Sequence, residues 1–60
     1  MKAKDIFTLS SGTLAGIFGV STYDAVEQEM MGWYAWAEAQ GKEWESWVDC
    51  LQEYFLTGRT

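Results

Sequence analysis

From residue 43 the chain reads EWESWVDCLQEYF, and at about 100° per residue Trp44, Trp47, Val48, Leu51, Tyr54 and Phe55 share one arc about 120° wide. That is the stripe of a helix packed on one side, and it predicts a helix over about 43–56. Gly58 stands where a C-terminal cap glycine would, with Arg59 near the negative end of the helix dipole. A longer pattern covers about 22–40, with Tyr23, Val26, Met30, Trp33, Tyr34 and Ala37 as its apolar stripe. Ser21 and Asp24 at its start approximate a capping box with Asp in place of Glu. Gly32 costs about 1 kcal/mol relative to Ala inside a helix, so it is expected to permit a close helix crossing or a local kink. Gly41 closes the helix, and so short a connection predicts an antiparallel hairpin with the segment that follows.

The first third is less regular. TLAGIFGV forms a short helix over about 12–19, capped by Ser10 or Ser11, and DIFTL reads as a helical turn led by Asp5 or as a short strand, with the helix favoured. Together these segments predict an all-α fold: a single small three-helix domain over 1–60, its short N-terminal helix packed on the helical hairpin. Proline is absent, so glycine and serine supply the punctuation, and there is no internal repeat or low-complexity segment.

Composition changes this picture in one respect. A chain of 60 residues buries only about 60% of the surface its unfolded form exposes, yet 48% of its residues are hydrophobic and 17% aromatic. It carries enough apolar surface to fold, with a surplus that a partner or a second copy could cover. The net charge of −5 arises from nine acids against Lys2, Lys4, Lys42 and Arg59. Binding to nucleic acid depends on Lys and Arg displacing counterions, so a basic protein surface is the expected partner rather than nucleic acid itself. No apolar run approaches the roughly 20 residues that cross a bilayer, no signal-peptide core follows the first lysines, and no membrane partner is expected. With Cys50 alone and no histidine, neither a disulfide, a zinc site nor a Cys/His pair is expected. A reducing cytoplasm suits such a chain.

Two arrangements have candidate chemistry. SGTLAGIFGVSTYDAVEQEM resembles the helix-turn-helix pattern of phage and bacterial repressors, with Ala15 at its small position, Gly19 at the turn and Val20 as the apolar anchor. That resemblance implies DNA binding through the second helix, but Ala25 and Gln28 replace expected branched apolar residues. The presumed reading face is Thr22, Tyr23, Asp24 and Glu27, whose acids a DNA groove would repel. A helix–glycine–helix corner that reads no DNA is the favoured alternative. The tryptophans are the second arrangement: Trp33, Trp44 and Trp47 fall on core stripes, whereas Trp36 lies about 110° off the centre of its helix's stripe. Either the N-terminal apolar residues (Ile6, Phe7, Leu9, Leu14, Ile17, Phe18) pack over Trp36, or it is an exposed interface anchor. Met31 lies off the stripe on the other side, beside acids, as suits an adaptable binding surface.

Carboxylates alone make a poor catalytic or metal set. A catalytic acid needs burial or a charged neighbour in a cleft, and no calcium-loop spacing is present; no catalytic residue, metal or cofactor is expected. What the acids do offer is a row. On a helix over 43–56, Glu45, Asp49 and Glu53 stand four apart, each step rising about 6 Å, and such like pairs cost a few tenths of a kcal/mol each. An ordinary solvated face is one explanation. The other is a surface read by a basic partner, with Asp24, Glu27 and Glu38 as a second acidic group, and Trp36 and Met31 as apolar contacts.

In general character (tiny, acidic, aromatic-rich, helical, without a catalytic set) the chain is similar to small inhibitor proteins encoded by phages, anti-CRISPR proteins and DNA mimics among them. The resemblance implies a stoichiometric inhibitor in the host cytoplasm that occupies a nucleic-acid-binding site of its target or blocks a conformational step. A degenerate helix-turn-helix regulator and a self-assembling module, such as a homodimer, are the alternatives.

Overall fold

The computed structural model describes residues 1–58, and among them there are helices and no strand. A 3-10 helix (Ala3–Thr8) leads into α1 (Ser11–Phe18), α2 (Tyr23–Gln40) and α3 (Trp47–Glu53), and α3 continues into a π-turn (Tyr54–Gly58). The fold is all-α, as the periodicity predicts. With 18 residues at about 1.5 Å each, α2 is about 27 Å long, close to the 30 Å longest dimension of the molecule. It is the spine: the 3-10 helix, α1 and the π-turn pack directly on it, and α3, which runs on into that turn, reaches Trp33 of α2 through Cys50.

Side-chain caps and left-handed glycines set the boundaries. Ser10 Oγ accepts the Thr13 N–H at 3.1 Å to start α1, and Gly19, at φ 68°, ends it. Thr22, not Ser21, caps α2: its Oγ1 accepts the Ala25 N–H at 3.2 Å. The predicted Ser21–Asp24 box therefore does not form, and Asp24 sits in the first turn, where its charge meets the positive end of the helix dipole. Gly41, at φ 64°, closes α2 as expected.

The second arm of the predicted hairpin is shorter than its hydrophobic pattern suggests. Ser46 Oγ accepts the Asp49 N–H at 3.4 Å, so the helix begins at Trp47 and residues 42–46 lie outside it. Trp44 is held there by exchange with the first residue: its N–H donates to the Met1 carbonyl at 2.8 Å, and the Met1 amino group donates to the Trp44 carbonyl. Starting at Trp47 turns α3 so that Trp47, Cys50, Leu51 and Tyr54 face inward, the i, i+3, i+4, i+7 stripe of a packed helix. Val48 and Phe55, predicted to be core, are exposed instead, and so is Tyr23 at the first position of α2.

The core consists of Ile6, Leu14, Phe18, Val26, Trp33, Ala37, Trp44, Cys50, Leu51 and Tyr54. Trp33 is at its centre, fully buried, edge-on to Phe18 at 6.1 Å and stacked with Tyr54 at 6.5 Å. Its Nε1–H donates to Cys50 Sγ at 3.3 Å. The N-terminal apolar residues spread over α2, Ile6 entering the core and Phe7 pairing with Tyr34 at 4.6 Å.

Trp36 is covered from the other side of the molecule, by Trp44 at 5.7 Å and Tyr54 at 5.4 Å between ring centroids. Gly58 completes that cover. It is not left-handed, since positive φ among the described residues is confined to Gly19 and Gly41, so it does not cap the chain as predicted. A Cβ there would lie 2.5 Å from the Trp36 ring, which is why the position holds glycine. Gly32 faces the Tyr54 hydroxyl, 3.5 Å from where a Cβ would be, an ordinary contact made by the π-turn. The predicted place of Arg59 lies outside the described residues.

Candidate protein-docking surface

The structure treats the two predicted acidic groups differently. The row at Glu45, Asp49 and Glu53 does not form. Glu45 precedes α3, Asp49 lies in its first turn, where the dipole favours a negative charge, and Glu53 accepts an ion-paired hydrogen bond from Lys42 Nζ at 2.7 Å. The same ammonium lies 5.5 Å from the centre of the Trp44 ring. Exposed pairs of this kind contribute at most about 1 kcal/mol, but the charge of Glu53 is compensated locally.

Asp24, Glu27, Met31 and Glu38 do lie on one face. All four are exposed on α2, and Asp24, Met31 and Glu38 are seven residues apart, so they form a line along the helix with Glu27 beside it. Asp24, Glu27, Gln28 and Met31 line a shallow depression of about 430 Å³. Met31, which is 50% exposed, joins it to a second of about 500 Å³ lined by Tyr34, Ala35, Glu38 and Ala39. At the C-terminal end of the helix, Tyr34 and Glu38 share a third depression, of about 420 Å³, with Lys2, Lys4 and Lys42. The face is thus acidic at its N-terminal half and mixed at its C-terminal end.

Beside the acidic half, a smaller cleft of about 170 Å³ opens between α2, the start of α1 and the 3-10 helix, walled by Phe7, Leu9, Leu14, Tyr23, Val26 and Met30 with Glu27 on its lining. Phe7 and Tyr23 are not among the protein-partner contacts expected from the sequence, where Tyr23 figures only on the apolar stripe and the presumed DNA-reading face. The signal for Tyr23 was present: with Thr22 as cap it occupies the first helical position, where its ring can turn outward. For Phe7 no comparable local signal was present.

Two titrating groups are shifted. The Tyr34 hydroxyl is held above the ordinary tyrosine range by its hydrogen bond to Glu38 and by the negative charge of that carboxylate. Burial pushes the Cys50 thiol up, against a smaller opposing effect of the Trp33 N–H, so at neutral pH it is a protonated core group and a poor nucleophile. Among the described residues no three His, Cys, Asp or Glu side chains are grouped to hold a metal, and no helix is long and apolar enough to cross a membrane. Trp36, a candidate contact, is half-buried in the stack with Trp44 and Tyr54 and stands apart from the α2 line. No protein-family model, curated protein or solved structure matches the chain.

Proposed function

We propose that this chain is a non-catalytic protein-binding inhibitor that docks a basic, nucleic-acid-handling partner through the outer face of α2. The observation that carries the reading is the exposed line Asp24, Met31, Glu38 with Glu27 beside it. At about 1.5 Å per residue its outer carboxylates stand about 10 Å on either side of the methionine. Opposite charge on the partner would steer the encounter and set its register, and the flexible thioether would adapt to whatever apolar side chain arrives. An anti-CRISPR-like or DNA-mimicking inhibitor of the phage type, acting in a host cytoplasm, is the form of this function that the general character of the chain favours.

The test is affinity capture from a lysate by three tagged proteins: the wild type, the α2 reversal Asp24→Lys/Glu27→Lys/Glu38→Lys, and the control reversal Glu45→Lys/Asp49→Lys. The reading expects a basic nucleic-acid-binding protein captured by the wild type and the control, released by salt, and lost with the α2 reversal. Capture that survives the α2 reversal would remove it.

A second reading, self-assembly, has its own observation: Val48, Phe55 and Leu56 are exposed near the C-terminal end, Leu56 by 84%. Sedimentation over a concentration series decides it, and a strict monomer ends it. The order α1, Gly19, α2 follows the spacing of the helix-turn-helix pattern, but Asp24 and Glu27 on its presumed reading face would be repelled by DNA. Absence of any gel shift at low salt would eliminate direct DNA binding.

A further inference from the structure

Resting on the reading above, we infer that the partner element is a basic amphipathic α-helix, laid along α2 with one apolar side chain in the cleft between Phe7, Tyr23 and Met30 and another beside Met31 and Ala35. The described residues have no strand, so there is no sheet edge to which an extended peptide could add. What they do present is a helix about 27 Å long with depressions along its open side, the arrangement that receives a helix in a groove.

The two apolar places are about 13 Å apart along the axis of α2, judged from the residues that line them and about 1.5 Å per residue. That distance is about two and a half turns of a partner helix. Ala35 and Ala39 are small and exposed, so its backbone can come close at that end.

Charge supplies both the identity and the direction of the occupant. Asp24 and Glu27 call for Lys or Arg at the end of the partner helix that lies over the start of α2. Lys2 and Lys4, beside Glu38, make the other end of the groove tolerant of an acid. A second copy of this chain is a poor occupant. Laid antiparallel across Met31, it would set its Glu38 against Asp24, seven residues either side of the centre, so like charges would meet at both ends.

Two synthetic 18-residue peptides of identical Leu/Lys composition test this. In one, leucines fall on a single helical face; in the other the order is scrambled to abolish the face. Binding is followed by fluorescence anisotropy of the labelled peptide. The amphipathic peptide is expected to bind the wild type at least 10-fold more tightly than the scrambled one. Met31→Lys and Tyr23→Ala should each erase most of that preference while circular dichroism stays unchanged, and Asp24→Lys/Glu27→Lys should weaken both peptides. Equal binding of the two peptides would overturn the helix inference and leave the basic-partner reading standing. Binding of neither would overturn both, and a preference that survives Met31→Lys and Tyr23→Ala would remove the groove as its site.

Discussion

At the centre of the molecule one hydrogen bond joins α2 to α3 within the apolar core. Trp33 Nε1–H reaches Cys50 Sγ at 3.3 Å with both side chains fully buried, so α2 is fixed against α3 by a donor that has no water to turn to. Cys50→Ala removes the acceptor and leaves a small void. The expected cost is about 1–3 kcal/mol for the stranded donor, read as a fall in the thermal midpoint of about 4–8 °C per kcal/mol in a domain this small. The thiol also makes stability pH-dependent. Its native pKa is raised by burial, so its contribution is complete below the ordinary cysteine value and is lost as pH rises through the higher native one. Tyr34 follows the same sign, because Glu38 raises it too. Urea midpoints measured from neutral to alkaline pH should therefore fall, and Cys50→Ala should flatten the first part of that fall.

Gly58 makes a sharper demand, because alanine there would press on Trp36 and Tyr54. Gly58→Ala should cost about 1–3 kcal/mol, the usual range for overpacking, whereas Gly32→Ala, in ordinary contact only, should be neutral or stabilising by its helix propensity.

Among the elements, α2 was legible from its apolar spacing almost to the residue, and α1 nearly so, because each ends at a glycine that adopts the left-handed conformation. The start of α3 was not. The stripe through Trp44 and Trp47 is continuous in sequence, but it joins a tryptophan of the linker to one of the helix, since a large aromatic side chain can reach a core from extended backbone as well as from a helix. The local signal was Ser46-Trp-Val-Asp49, a hydroxyl cap with an acid three residues later, while the Met1–Trp44 exchange holds Trp44 outside the helix. Ser46→Ala should accordingly cost about 1 kcal/mol, as loss of an N-cap does, seen in the urea midpoint. If α3 began at residue 43, the same change would fall inside a helix and be nearly neutral or favourable.

For the whole molecule, the shift of that one boundary redistributes the charge. With Glu45 off the helix and Glu53 paired to Lys42, the acids that remain aligned and exposed are those of α2. Half of the candidate surface was thus visible in the sequence, as Asp24, Glu27, Glu38 and Met31, because a long regular helix carries its spacing directly into space. Phe7 was hidden, since its exposure depends on how the 3-10 helix seats it, and Tyr23 was masked by its place on the apolar stripe, from which only the cap at Thr22 frees it. A net charge of −5 would draw any basic molecule to the surface, so affinity alone cannot locate the contact.

Position can. Backbone amide shifts of the labelled protein, followed as the amphipathic Leu/Lys peptide is added, place the contact residue by residue. The largest changes are expected at Asp24, Glu27, Met31, Ala35 and Glu38, with Tyr23 and Phe7 beside them and little change at Asp49 or Gln52. Changes centred on Val48, Asp49 and Leu56, or spread evenly over all acids, would contradict the assignment of the docking surface to α2.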